Sequence, residues 1–236
     1  MTKGIVYYTR NKVNQKLGDL CRKQILKAGL PIVSVSSEPI EFGKNFVLNI
    51  GGGYLEYFKK ILKGLEESTA NIIFFCEDDT LYHPSHFNFI PPEENVYYYD
   101  INVWRIRAED GFALHYDAKQ MNMLCGYRDF LINYYKKAVK KVTEGVSVRA
   151  MGFEPGSHHR KERIDDFKSD YYKALFPSLD IRHDKNLTAN RWKKELFRSQ
   201  KNCPNWIEKK AWEVEGWDFW SKTLIEKFNV TNCQSL

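Results

Sequence analysis

Apolar positions follow two alternating periods through the first part of the chain. Residues 4–9 (GIVYYT) form a short β-branched and aromatic run, followed by a segment that places Val13, Leu17, Leu20, Cys21 and Ala28 on one helical face. Residues 31–36 (PIVSVS), opened by Gly29-Leu30-Pro31 and closed by Ser-Ser-Glu-Pro, predict a second strand. After Gly51-Gly52-Gly53, the positions Tyr54, Leu55, Phe58, Ile61, Leu62 and Leu65 mark an amphipathic helix. Residues 72–76 (IIFFC) are continuously apolar. A continuous apolar strand between helices suits a sheet covered on both faces. The βα alternation therefore predicts an α/β fold with a Rossmann-like, mostly parallel sheet and flanking helices.

Residues 96–99 and 102–106 add strands, and Phe130, Leu131, Tyr134, Ala138 and Val142 predict a further helix. Beyond Val148 the pattern loosens into polar loops, with one strand near 179–182 and a Trp-rich stretch from Trp192 to Trp220. This organisation predicts a main domain over 1–190 and a helical, Trp-rich extension over 191–236 packed on it. In the extension, residues 206–220 (WIEKKAWEVEGWDFW) read as an amphipathic helix with Trp206, Trp217 and Trp220 packed.

Composition narrows the class. With 236 residues, 43% hydrophobic and 28% charged, the chain is neither collagen-like nor disordered nor a disulfide miniature. No apolar run approaches the roughly 18–20 residues of a bilayer span, and MTKGIVYYTR is too short and polar for a signal peptide. Five scattered cysteines without CxxC spacing suit a reducing compartment, so a soluble, cytoplasmic protein is expected. The net charge of +6 is unevenly spread: residues 1–135 hold 15 Lys/Arg and 16 Asp/Glu, whereas 136–236 hold 21 and 14.

The most informative motif is Glu77-Asp78-Asp79, directly after the IIFFC strand. Open α/β sheets bind ligands outside the carboxyl ends of their strands, so these acids border a cleft. Clustered carboxylates repel unless a cation joins them, and Mg²⁺ or Mn²⁺ takes one or two carboxylates together with phosphate oxygens. The same triplet also serves as an acidic turn capping a following helix.

The stretch IIFFCEDDTLYHPSHF resembles the strand, acidic motif and following segment of nucleotide-sugar glycosyltransferases of the A fold. GIVYYTRN is similar to that family's first strand and nucleotide-contacting loop, and GGGYLEYFKKILKGLEES to its helix before the acidic strand. The resemblance implies a hexosyl- or pentosyltransferase that uses a nucleotide-diphosphate sugar and Mn²⁺ or Mg²⁺. It places Glu77 near the ribose or the metal, makes Asp79 a direct metal ligand, and puts Asp78 between them. Tyr8, Thr9 and Arg10 become candidates for base stacking and phosphate contact, and Glu38 is the one acid available after the second strand to recognise the nucleobase.

His183, closing the late strand, resembles the histidine that many such enzymes supply to the metal. Lys185 and Arg191, with Asn186 and Thr188, follow as a segment able to close over phosphates. For the base that deprotonates the acceptor, Glu154 comes first, because Phe153 before it and a Pro-Gly turn after it offer a burying environment. Asp166 comes second, being also a helix-start acid for DFKSDYYKALF, with Asp165 beside it. His158 and His159 read as acceptor contacts or exposed loop residues. Asp110, His115 and Gly126 lie in a segment resembling the family's donor-sugar and acceptor flank.

Some relatives of this fold glycosylate hydroxymethylated pyrimidines in phage DNA. The basic, aromatic final third makes hydroxymethylated pyrimidine in DNA the favoured acceptor, and a saccharide stacked on the same aromatics the next. The alternative readings are another metal-dependent nucleotidyl- or phosphate-transfer enzyme and a noncatalytic nucleic-acid-binding protein.

Overall fold

The computed structural model describes residues 1–156, 160–183, 186 and 190–217. In chain order its strands and helices are β1 (Lys3–Tyr8), α1 (Gln15–Leu26), β2 (Ile32–Ser36), β3 (Lys44–Val47), α2 (Gly53–Glu67), β4 (Ile72–Cys76) and β5 (Thr80–Leu81). There follow β6 (Tyr97–Asp100), β7 (Val103–Arg107), β8 (Phe112–His115), β9 (Leu124–Tyr127), α3 (Arg128–Thr143) and α4 (Val148–Met151). The remaining strands are β10 (Ser169–Tyr172), β11 (Ser178–Arg182) and β12 (Ile207–Lys210).

Seven strands build the central sheet in the order β10-β6-β9-β4-β1-β2-β3. Six run parallel, and β9 alone is antiparallel, between β4 and β6. The result is a mixed α/β fold with a mostly parallel central sheet flanked by helices. Side-chain alternation gives the sheet two buried faces: Val6, Tyr8, Ile73 and Phe75 pack with α2 and α3, whereas Ile5, Tyr7, Ile72 and Phe74 pack toward Ile25 of α1 and Val103. Helix α2 lies so close to β1 that a Cβ on Gly64 would stand 2.5 Å from Val6 Cγ1, which is why a glycine occupies that turn.

A second sheet has the order β12-β8-β7-β11-β5. One face packs on Leu17 and Cys21 of α1. Because β5 starts one residue after Asp79, the acidic triplet is the link by which the chain leaves the central sheet and enters the second. The β11–β5 pairing is extended by Ile181, whose N–H donates to the Asp79 carbonyl at 2.8 Å.

Among the described residues, two stretches expected to be helical form strands. DFKSDYYKALF contains β10 instead, because Tyr171 and Tyr172 complete a parallel pairing with Tyr99 and Asp100 at the sheet edge. In the described part of the extension, 206–217 forms β12 and a single 3₁₀ turn, Ala211–Glu213. Asn205 adopts a left-handed conformation before β12 (φ 55°), and Gly216 does so after the turn (φ 85°), packed so tightly on Phe176 that a Cβ would come within 2.7 Å of its ring. Trp217 is buried and donates its indole N–H to the Pro177 carbonyl at 2.8 Å. No helix of the described residues is long and apolar enough to cross a membrane.

Candidate functional site

A cavity of about 180 Å³ opens where the carboxyl ends of β1 and β4 meet β11. Its wall brings together Tyr8, Thr9, Arg10, Glu77, Asp78, Asp79, Glu154 and His183, eight residues expected from widely separated stretches of sequence. Strand geometry explains the convergence: β1 and β4 are parallel neighbours, so their following loops emerge on one edge, and β11 reaches the same edge through its pairing with β5.

The three acids are held differently. Glu77 is drawn toward α2, accepting from the Tyr57 hydroxyl at 2.6 Å, and that hydroxyl also meets Tyr8 at 3.1 Å. Burial and then the charge of Asp79 push the Glu77 carboxyl up to about 8, with Tyr57 acting in opposition. Asp78 accepts from the Thr9 hydroxyl. Burial, followed by Asp79, raises its carboxyl to about 6. Asp79 is directed at β11: its Oδ2 accepts from Asn186 Nδ2 at 2.7 Å and lies 3.6 Å from His183 Nε2. Asn186 in turn accepts from the His183 backbone N–H at 2.6 Å, so one amide clasps both residues.

That donor set fits a hard divalent cation in part. Asp79 and His183 face each other at a spacing two ligands of one ion can adopt, and such ions complete their shell with phosphate and water oxygens. Among the described residues, no three His, Cys, Asp or Glu side chains form a ready ligand set.

Beneath the cavity, Lys60 and Glu56 form a buried ion pair at 2.7 Å, one turn apart on α2. Lys60 also donates to the Thr9 carbonyl at 2.8 Å and to Ser37 Oγ at 2.5 Å, while Glu56 accepts from the backbone of Ile50 (2.9 Å) and Gly52 (2.8 Å). The pair thus ties together the loops after β1 and β2 and the glycine-rich loop. Burial works to raise the Glu56 carboxyl, but hydrogen bonds from Lys60, Ile50 and Gly52 hold it down at about 2.

Glu154 is half-buried at the cavity wall in the turn after α4. It is preceded by Phe153, whose ring packs on Tyr57 and Phe58 at 5.4 and 6.0 Å.

Other expected residues lie elsewhere. Asp166 is exposed, pairs with Arg163, and lines a neighbouring cavity together with Asp165, which accepts from the Tyr97 hydroxyl at 2.6 Å. Glu38 is exposed outside the cavity, its backbone N–H donating to Asn11 Oδ1 at 3.1 Å. Arg191 stacks over Phe197 at 5.3 Å. Asp110 pairs with Arg107 at 2.5 Å, His115 Nδ1 contacts the Val103 carbonyl at 2.9 Å, and Gly126 is internal to β9; none of the three lines the cavity. Lys185, Thr188, His158, His159 and Trp220 lie outside the described residues.

Tyr57, Lys60, Gln120, Asn122, Asp180 and Arg182 also line the cavity, although no motif in the sequence marks them as site residues. The Glu56–Lys60 spacing was visible, but an i,i+4 pair reads as a solvated helix face. Asp180 sits mid-strand at a position that alternation assigns to solvent.

No family model matches the chain, and no curated protein matches it in sequence. Among solved structures, it is similar to a glycosyltransferase involved in the glycosylation of the major capsid of PBCV-1, with 12% identity and a TM-score of 0.41 over 72% of this chain and 81% of that one.

Proposed function

We propose that the chain is a metal-dependent glycosyltransferase that moves a sugar from a nucleotide-diphosphate donor to an acceptor hydroxyl. The observation that carries this reading is the placement of Asp79 opposite His183, with Glu77 and Asp78, inside one cavity at the carboxyl edge of a mostly parallel sheet. Thr9 and Arg10 border the same acids and suit the nucleotide side of the donor, with Tyr8 braced behind them by Tyr57. Asp79 and His183 would hold Mn²⁺ or Mg²⁺, oriented by Asn186. Such a cation, when bound, neutralises charge on the leaving diphosphate.

Glu154 is the general base. It takes the proton of the acceptor hydroxyl as that oxygen bonds to the anomeric carbon, and the bond from that carbon to the diphosphate oxygen breaks with its electron pair leaving on phosphate. Arg10 and Lys12, both exposed at the rim, supply positive charge near the departing group.

The sequence alone favours hydroxymethylated pyrimidine in DNA as acceptor; the placement of the basic side chains shifts our proposal to a saccharide. Cations of the basic final third already sit over aromatic rings: Arg191 over Phe197 (5.3 Å), Lys194 over Trp206 (5.8 Å) and Lys209 over Trp104 (5.7 Å). Mass spectrometry of saccharides and of hydroxymethylcytosine DNA, after incubation with a panel of nucleotide sugars and Mn²⁺, tests the reading. A mass increase of one sugar residue on a saccharide is expected; the increase on DNA alone reverses the acceptor choice, and no increase on any acceptor argues against transfer.

A further inference from the structure

One wall of the cavity carries two buried oxygens whose hydrogen-bonding capacity is unused. Asp180, in the middle of β11, is 1% exposed and lines the cavity. Its Oδ2 accepts from Gln120 Nε2 at 3.1 Å and lies 3.5 Å from Arg182 Nη1, whereas its Oδ1 has no hydrogen-bond partner among the described residues. Gln120 uses its amide N–H₂ on that carboxylate, and its Oε1 is likewise buried without a partner. The amide is oriented by the contact, because turning it over would set its carbonyl against a carboxylate oxygen. Asn122 does not relieve the shortage, because its Nδ2 donates to Thr80 Oγ1 at 2.8 Å.

Buried acceptors are normally paired, so two of them on one cavity wall call for a group that arrives carrying donors. This requirement selects among the parts of a nucleotide sugar. Phosphate oxygens only accept and are repelled by a carboxylate. A sugar ring presents O–H donors on adjacent carbons.

Location agrees with that choice. Asp180 is in register with Thr80, the residue after Asp79, so the two acceptors lie on the β11 side of the acids, whereas Thr9 and Tyr57 hold Asp78 and Glu77 from the β1 and α2 side. We infer that Asp180 and Gln120 form the sub-site that holds hydroxyl groups of the transferred sugar. This inference rests on the nucleotide-sugar reading above and adds to it the residues that select the sugar.

The test is isothermal titration of the full chain, with Mn²⁺, against UDP and GDP and against UDP-glucose, UDP-galactose, UDP-N-acetylglucosamine and GDP-mannose. The wild type is expected to bind at least one nucleotide sugar more tightly than its parent diphosphate. Asp180→Asn should weaken that nucleotide sugar on the order of 10- to 100-fold, as loss of a hydrogen bond to a charged group does. Its affinity for the diphosphate should change by no more than about twofold, on the scale of an unperturbed neighbouring contact. Gln120→Met, at a half-buried position where the fold is not at stake, should act in the same direction by a smaller factor.

Equal losses for sugar and diphosphate in both variants, or unchanged nucleotide-sugar binding in both, would overturn the sub-site and leave the nucleotide site standing. If the wild type bound neither diphosphate, the nucleotide-sugar reading itself would fail and the sub-site with it.

Discussion

Asp79 Oδ2 stands 3.6 Å from His183 Nε2, although one residue follows the central strand of the first sheet and the other closes a strand of the second. The two sheets share the short link through Asp79, and Asn186 bridges the pair from the far side. A cation held by these two side chains would therefore depend on the Asn186 amide that fixes both of them.

Asn186→Ala should lower Mn²⁺ affinity on the order of 10- to 100-fold, the usual cost of removing a group that orients metal ligands. Calorimetric titration with Mn²⁺ in the presence of a nucleoside diphosphate checks this. Affinity equal to wild type would remove Asn186 from the metal's support.

Glu154→Gln should reduce turnover by about 10²- to 10⁴-fold while retaining donor binding, the magnitude expected for loss of a general base. Asp166→Asn should stay close to wild type, because Asp166 is exposed, paired with Arg163 and outside the cavity. The reverse pattern in steady-state assays would exchange the two roles.

The strands and helix that frame the site were legible in sequence because each carries a complete period. The IIFFC run, the GIVYYT run and the stripe from Tyr54 to Leu65 are β4, β1 and α2 to within a residue or two. Non-local pairing concealed the rest. β9 and β12 are four residues each, β5 is two, and their identity depends on partners distant in sequence rather than on their own pattern. The same holds for chemistry: Glu77 to Asp79 advertise themselves as a cluster, whereas Asp180 becomes conspicuous only when β11 turns its Ser178, Asp180 and Arg182 face inward. Asp166 shows the converse, a carboxylate in the expected interval of sequence that folding leaves exposed and paired with Arg163.

The Glu56–Lys60 pair gives the fold an acid limit. Glu56 is held at about 2 against an ordinary glutamate near 4.5, so the stability it contributes is fully present above about pH 4.5 and is lost as pH falls toward 2. Lys60→Met removes the partner and leaves a carboxylate buried, a change that costs about 3 kcal/mol. Thermal melts between pH 3 and 7 should show a lower Tm for Lys60→Met at neutral pH and a gap that narrows as the solution is acidified. A constant gap would mean that packing of the lysine stem, rather than its charge, holds the three loops.

The central claim is a metal-assisted nucleotide-diphosphate site organised by Asp79, and the direct measurement is thermal unfolding with UDP or GDP, with and without Mn²⁺, for wild type and Asp79→Ala. One of the diphosphates should raise Tm by roughly 5–10 °C at about 100 times its Kd. That rise should require Mn²⁺ and vanish in Asp79→Ala, whose ligand-free Tm stays near wild type. Stabilisation that is indifferent to both Mn²⁺ and Asp79, or produced by DNA and by neither diphosphate, would contradict it.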